Sequence, residues 1–281
     1  MGFALCLSAF PHSGGQIVRV QTELPRESEP NVGSEKNATP VTNTSLQNRI
    51  KTLPLIGLAA KRLARFPIVM HARRLAFSGS ASFWEKAYRE GSMSKVCPGS
   101  YGRLAEFKAE VLNDFVRQQG IGRVIEFGCG DGSQLQLFDY PEYVGVDVSG
   151  SAVACCKSRF ANDPSKSFYV TDAFSEDLGP FDLALSLDVI YHLVEDDIFE
   201  SYMKRLFQSS RQHVAVYASD YDAWTEGLHV RHRKFTTWVE NNASEWRRNG
   251  FVVNRFPFDP TRPDDTSCAD FHFFVRDTKK H

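Results

Sequence analysis

The 281-residue chain has no excess of charge: 33 Lys and Arg stand against 34 Asp and Glu, for a formal net charge of −1. Nothing global therefore draws it to nucleic acid or to an anionic membrane. It also lacks a long apolar run. Phe3 to Phe10 is apolar, but it is too short to span a bilayer. No basic residues precede it and no clear small-residue cleavage site follows, which argues against a signal peptide. Metal-ligand spacing is absent too. Cys6, Cys97, Cys129, Cys155, Cys156 and Cys268 form no C-x-x-C pair. Reduced thiols in a cytoplasmic protein with no bound metal are expected.

What the chain does have is Val124-Ile125-Glu126-Phe127-Gly128-Cys129-Gly130-Asp131-Gly132-Ser133. An apolar, β-branched run ends in an acid and runs into a glycine-rich turn. A parallel strand needs this pattern where its C-terminal end passes close under a nucleoside-type ligand. The spacing is not that of a dinucleotide site. The third glycine of G-x-G-x-x-G would fall on Ser133. The arrangement is E-x-G-x-G-x-G instead.

Three further segments repeat the theme of a strand ending in an acid. Tyr143–Ser149 contains Asp147, placed about twenty residues on, where an acid accepts hydrogen bonds from ribose hydroxyls. Ser167–Phe174 places Asp172 just past a strand end. Phe181–Asp188 is a buried strand running into Val189-Ile190-Tyr191-His192-Leu193.

The four segments, in this order, resemble the motifs of class I S-adenosylmethionine (SAM) methyltransferases. That resemblance implies an α/β, Rossmann-like fold: a seven-stranded, mostly parallel sheet with an antiparallel last strand and helices on both faces. It implies SAM as cofactor, held by Tyr101, Glu126, Gly128, Cys129, Gly130, Asp147, Val148, Asp172, Ala173 and Leu187. The stretches SYGRLAEFKAEVLNDFV, SLDVIYHLVEDDIFE and HVRHRKFTTWV are similar to a bacterial subfamily associated with surface-polysaccharide and glycan assembly. The similarity covers about residues 80 to 276. The turn at 92–99 departs from the subfamily's glycine- and serine-rich form.

Periodicity supplies the remaining elements. Apolar residues at 104, 107, 111, 112, 115 and 116 predict a helix that Gly120 and Gly122 end. Ser149 is placed to cap a helix over 150–160. A helix over 195–208 is expected to bury Ile198, Phe199, Tyr202, Met203, Leu206 and Phe207. A strand at 213–218, a helix at about 236–248 and strands at about 251–256 and 271–276 complete the expected order.

Residues 1–48, rich in Ser, Thr, Pro, Asn, Glu and Gly, are expected to be a disordered tail. Residues 49–80 form a basic, amphipathic linker, and residues 81–281 the catalytic domain. Arg49, Lys51, Lys61, Arg62, Arg65, Arg73 and Arg74 carry the linker's charge with no acid among them. A linker packed on the domain is one reading. Peripheral contact with the inner face of a membrane, or with a glycosyltransferase partner, is the other.

A hydroxyl acceptor must lose its proton near the transition state. His192 is the first candidate base, because imidazole accepts a proton at neutral pH and the residue follows a strand end. Asp188 is the second. A structural role for each is the competing reading. His229, Arg231, His232 and Arg233 form a forked donor set suited to carboxylate or phosphate. They suggest an anionic acceptor, a sugar or glycan. Salt bridges to nearby acids are the competing reading. The alternatives in function are methylation of RNA or protein and a non-catalytic SAM-binding partner. The charge balance and the lack of an aromatic–basic platform argue against nucleic acid.

Overall fold

The computed structural model describes Ala9–Pro11, Ile17–Arg19, Arg74, 77–91, 98–174 and 178–277. The chain forms two compact units, one of residues 1–20 and 78–281 and one of residues 21–77. Nearly all of the second lies outside the described residues, including most of the basic linker, as does most of the altered turn at 92–99. Within the tail, β1 (Ala9–Pro11) pairs antiparallel with β2 (Ile17–Arg19). The rest of residues 1–48 is outside the described residues.

The first helix of the larger unit is α1 (Ser80–Arg89), followed by α2 (Gly102–Gln119). The sheet then begins with β3 (Arg123–Phe127) and β4 (Glu142–Asp147). After α3 (Gly150–Arg159) come β5 (Lys166–Val170) and β6 (Phe181–Leu187). Helix α4 (Asp196–Gln208) leads to β7 (Ser210–Ala218). A short ribbon, β8 (Ala223–Trp224) with β9 (Arg231–His232), precedes α5 (Phe235–Asn242). Strands β10 (Trp246–Val252) and β11 (Asp270–Arg276) finish the sheet.

Its order is β10-β11-β7-β6-β3-β4-β5. The β7-β6-β3-β4-β5 run is parallel, and β11 lies antiparallel to both β7 and β10. This is the expected architecture. Side chains alternate across the pleat, so each parallel strand feeds two cores. Val124, Leu183 and Leu185 join Phe107, Leu112 and Phe115 of α2 on one face. Ile125 and Ala184 join Phe199, Met203 and Leu206 of α4 on the other.

Two elements differ from expectation. Helix α5 stops at Asn242, well short of 248, and β10 begins at Trp246 instead of 251. Asn241 and Asn242 are poor helix formers. Ala243 then leaves the helical region at φ −134°, ψ 59°. Burial decides the rest: the Trp246 ring packs 5.5 Å from Phe207, edge to face. On α4, Ile198 does not join the core but is 47% exposed, and Tyr202 is only partly buried.

Candidate functional site

From β3 the chain steps outward to β4 and β5, then returns to β6 on the other side of β3. The C-terminal ends of β3 and β6 therefore flank the point where the connections diverge, and a crevice opens there. The glycine turn lines it. Gly128 has φ 86° and Gly130 φ 60°, angles that side chains disfavour. A Cβ on Gly128 would lie 2.4 Å from Val189 Cγ2, and one on Gly130 2.7 Å from the Tyr88 hydroxyl. Only glycine fits both corners.

Two buried carboxyls stand at this edge. Glu126 accepts a 2.7 Å hydrogen bond from the Tyr143 hydroxyl. Burial dominates its titration and pushes it up to about 7, against the opposing pull of Tyr143 and Lys108. Asp147 accepts from the backbone N–H groups of Gly130 and Ser149, both at 2.9 Å. Burial raises it to about 6 despite those donors. Ser149 also caps α3, accepting from Ala152 N–H at 3.1 Å.

The crevice is a cavity of about 540 Å³. Tyr101, Glu126, Gly128, Cys129, Gly130, Asp147, Val148, Asp172, Leu187, Asp188 and His192 all line it. Ala173 belongs to the Thr171–Ala173 turn but is exposed and outside the lining. Sequence reasoning missed part of the wall: Trp84 and Tyr88 of α1, and Ile198, Ser201 and Arg205 of α4. On α4 a signal was present. Positions 198, 201, 202 and 205 repeat at helical spacing as a second stripe beside Phe199, Met203 and Leu206.

The donor set fits SAM. Two desolvated carboxylates facing a cavity are acceptors for ribose hydroxyls or an amino group, and Gly128 and Gly130 carry the backbone along the cavity wall with no side chain of their own. Residues 125–216 match the family model described as a methyltransferase domain. The chain is a SAM-dependent methyltransferase. Its fold is similar to that of magnesium protoporphyrin IX methyltransferase from Synechocystis PCC 6803, solved with bound SAM. The identity is 13%, over 72% of this chain and 99% of that one, with a TM-score of 0.50. The N-methyltransferase NodS from Bradyrhizobium japonicum WM9, solved with S-adenosylhomocysteine, is 16% identical over 62% of this chain and 87% of that one, at a TM-score of 0.48. The methyltransferase domain of bacterial CtHen1 is 19% identical over 61% and 97%, at a TM-score of 0.47. No curated protein matches the chain in sequence.

In this methyltransferase His192 is buried yet lines the cavity. Its Nδ1 lies 3.0 Å from the His229 carbonyl, which can only accept. The ring is therefore protonated at Nδ1 and carries its lone pair on Nε2. Burial pulls the imidazole down to about 4, so it is neutral at physiological pH. Trp84 stands edge-on to it at 4.6 Å.

Asp188 is engaged differently. One carboxylate oxygen bonds Lys108 Nζ and the other accepts from the Tyr191 hydroxyl at 2.7 Å. It is the only described residue other than glycine with positive φ, at 60°. With both oxygens engaged by its neighbours, its place is in holding the loop.

The basic cluster after β7 corrects the expectation drawn from sequence. None of His229, Arg231, His232 or Arg233 lines the cavity. Arg233 donates to the Leu193 and Val194 carbonyls, each at 3.1 Å, and to Asp196 at 2.8 Å. Arg231 donates to Val194 O and to the same carboxylate. Both guanidinium groups fasten the 193–196 loop that follows His192. His229 stacks on Phe83 at 4.4 Å, and His232 bonds Ser219 Oγ at 2.6 Å. The acid that pairs with both arginines is Asp196.

Among the described residues no group of three or more His, Cys, Asp or Glu could hold a metal ion. No described helix is long and apolar enough to cross a membrane.

Proposed function

We propose that this methyltransferase O-methylates a hydroxyl of a sugar or glycan acceptor, with His192 as general base. The observation that carries the reading is the neutral, Nδ1-protonated imidazole in the wall of the cavity that the glycine turn opens into. SAM, when bound, supplies an electrophilic methyl group on a positively charged sulfur. Glu126 and Asp147 orient the cofactor by accepting its hydrogen bonds. The walls of Trp84, Tyr88 and Leu193 exclude water and fix the line of approach. His192 Nε2 takes the proton from the acceptor hydroxyl as the oxygen–carbon bond forms.

The wall chemistry supports a ring-shaped polar acceptor. Trp84, Tyr88 and Tyr101 offer flat apolar faces with hydrogen-bonding tips. Among the described lining residues Arg205 is the only Lys or Arg. It is the group left to meet an anionic substituent once Arg231 and Arg233 are committed elsewhere.

The experiment is transfer of tritium from methyl-labelled SAM to an oligosaccharide or lipopolysaccharide pool, run beside an RNA pool. Label is expected in the glycan pool, and His192→Ala should lower its rate by about 10²–10⁴-fold. Label in RNA alone, or an undiminished rate in the variant, would overturn the acceptor or the base respectively.

A further inference from the structure

The apolar stripe of α2 is interrupted by a charge. Lys108 lies four residues from Leu104 and four from Leu112, on the buried face, and is itself only 1% exposed. A buried ammonium is costly unless it is paired, so its partner is informative. That partner is Asp188, whose carboxylate bonds Nζ while the Tyr217 ring lies 5.2 Å away.

Asp188 is an unusual residue to pin. It turns the chain out of β6 in a left-handed conformation, its N–H bonded to Tyr217 O at 2.9 Å. The next residue, Val189, fills the space against Gly128 that no Cβ could share. Gly99, in the lead-in to α2, also rests on this carboxylate: a Cβ there would lie 3.0 Å from Oδ2. One acid thus joins the lead-in segment, the corner after β6 and the glycine cradle.

On the reading that SAM occupies this cradle, we propose that Lys108 is a positioning residue for the cofactor site: its ammonium neutralises Asp188 and so holds the corner that seats Val189 against Gly128. Lys108 itself does not line the cavity. It acts through Asp188.

Titration calorimetry with SAM tests this on the full chain and three variants. At pH 8, Lys108→Met should bind SAM about 10- to 100-fold more weakly, because an unpaired carboxylate remains at the corner. The double variant Lys108→Met/Asp188→Asn should return to within about fivefold of the parent. Asparagine tolerates the left-handed angle and needs no counter-ion. Lys108→Arg keeps the charge and should fall between the parent and the methionine variant.

A double variant that binds SAM no better than Lys108→Met, with both folded, overturns the proposal. So does a Lys108→Met affinity within threefold of a parent that binds SAM. If circular dichroism shows Lys108→Met unfolded, the double variant decides. Affinity within fivefold of the parent supports the proposal, and a loss beyond thirtyfold overturns it. A parent chain that binds no SAM refutes the cofactor assignment itself, and the proposal with it.

Discussion

Glu126 is held in surroundings that oppose its own charge. Its folded value of about 7 lies above the ordinary 4.5. The sign follows directly. Below pH 4.5 the carboxyl is neutral in both folded and unfolded chains and burial costs it nothing. As the pH rises from 4.5 through 7, the unfolded chain releases the proton first and stability is lost. The full penalty, about 3 kcal/mol from the size of the shift, is present at pH 8. Glu126→Gln should therefore raise the melting temperature of the cofactor-free protein by several degrees at pH 8 and by much less at pH 5, while weakening SAM binding. A thermal scan at the two pH values checks it, and equal changes at both would refute the burial account.

His192 carries the opposite shift. Burial lowers it to about 4. At saturating SAM and acceptor, turnover limited by this base should hold from pH 8 down to about 5, where a base at the ordinary 6.5 would have lost about thirtyfold. A pH–rate profile falling with a midpoint near 6.5 would contradict it. The strand-end acids and His192 were legible in the sequence because type and position follow from the strand pattern alone. Trp84, Tyr88 and Lys108 were not. Their places depend on how α1 and α2 lie over the sheet, which local spacing does not specify.

At the scale of elements, α1 is fastened at its start and at its middle. Ser80 bonds Glu195 through its N–H at 2.8 Å and its hydroxyl at 2.6 Å. Glu85 accepts from the hydroxyls of Ser149 and Ser151 at 2.7 and 2.6 Å, and these bonds hold it near a pKa of 2. Ser149 thus caps α3 and anchors α1 over the cavity. Ser149→Ala should cost about 1 kcal/mol through the lost cap. It should also speed SAM release in a stopped-flow experiment, which loss of the cap alone would not do.

Helix α4 is tied at its start by the basic cluster. Arg233 is buried and bonded to two loop carbonyls, so Arg233→Ala leaves those acceptors unpaired. A loss of about 2–3 kcal/mol in denaturant unfolding is expected. Wild-type stability with weakened acceptor binding would restore the anion-gripping role that sequence suggested. That reading arose because charge pattern alone cannot distinguish an arginine aimed at a ligand from one aimed at a loop carbonyl. The two stripes of α4 show a related limit. Periodicity marks Ile198 and Tyr202 as apolar-facing, but it cannot say that the space they face is a cavity.

For the whole molecule, the mostly parallel seven-stranded sheet was expected from the resemblance that the four acid-ended segments carry and from three late apolar runs, while the strand order came only with the structure. The end of α5 did not follow, because the demand of Trp246 for the core overrode helical spacing there. These pieces converge on one cavity in which Asp147 and Glu126 face the glycine cradle. Titration calorimetry of SAM into the full chain and into Asp147→Ala tests that convergence most directly. The parent should bind one SAM per chain, with proton release near pH 6.5 as the raised carboxyls ionise. Asp147→Ala, still folded, should bind about 10- to 100-fold more weakly, the loss of a charge-assisted hydrogen bond or two. No heat with the parent, or equal affinity in the variant, would contradict the placement of SAM in this site.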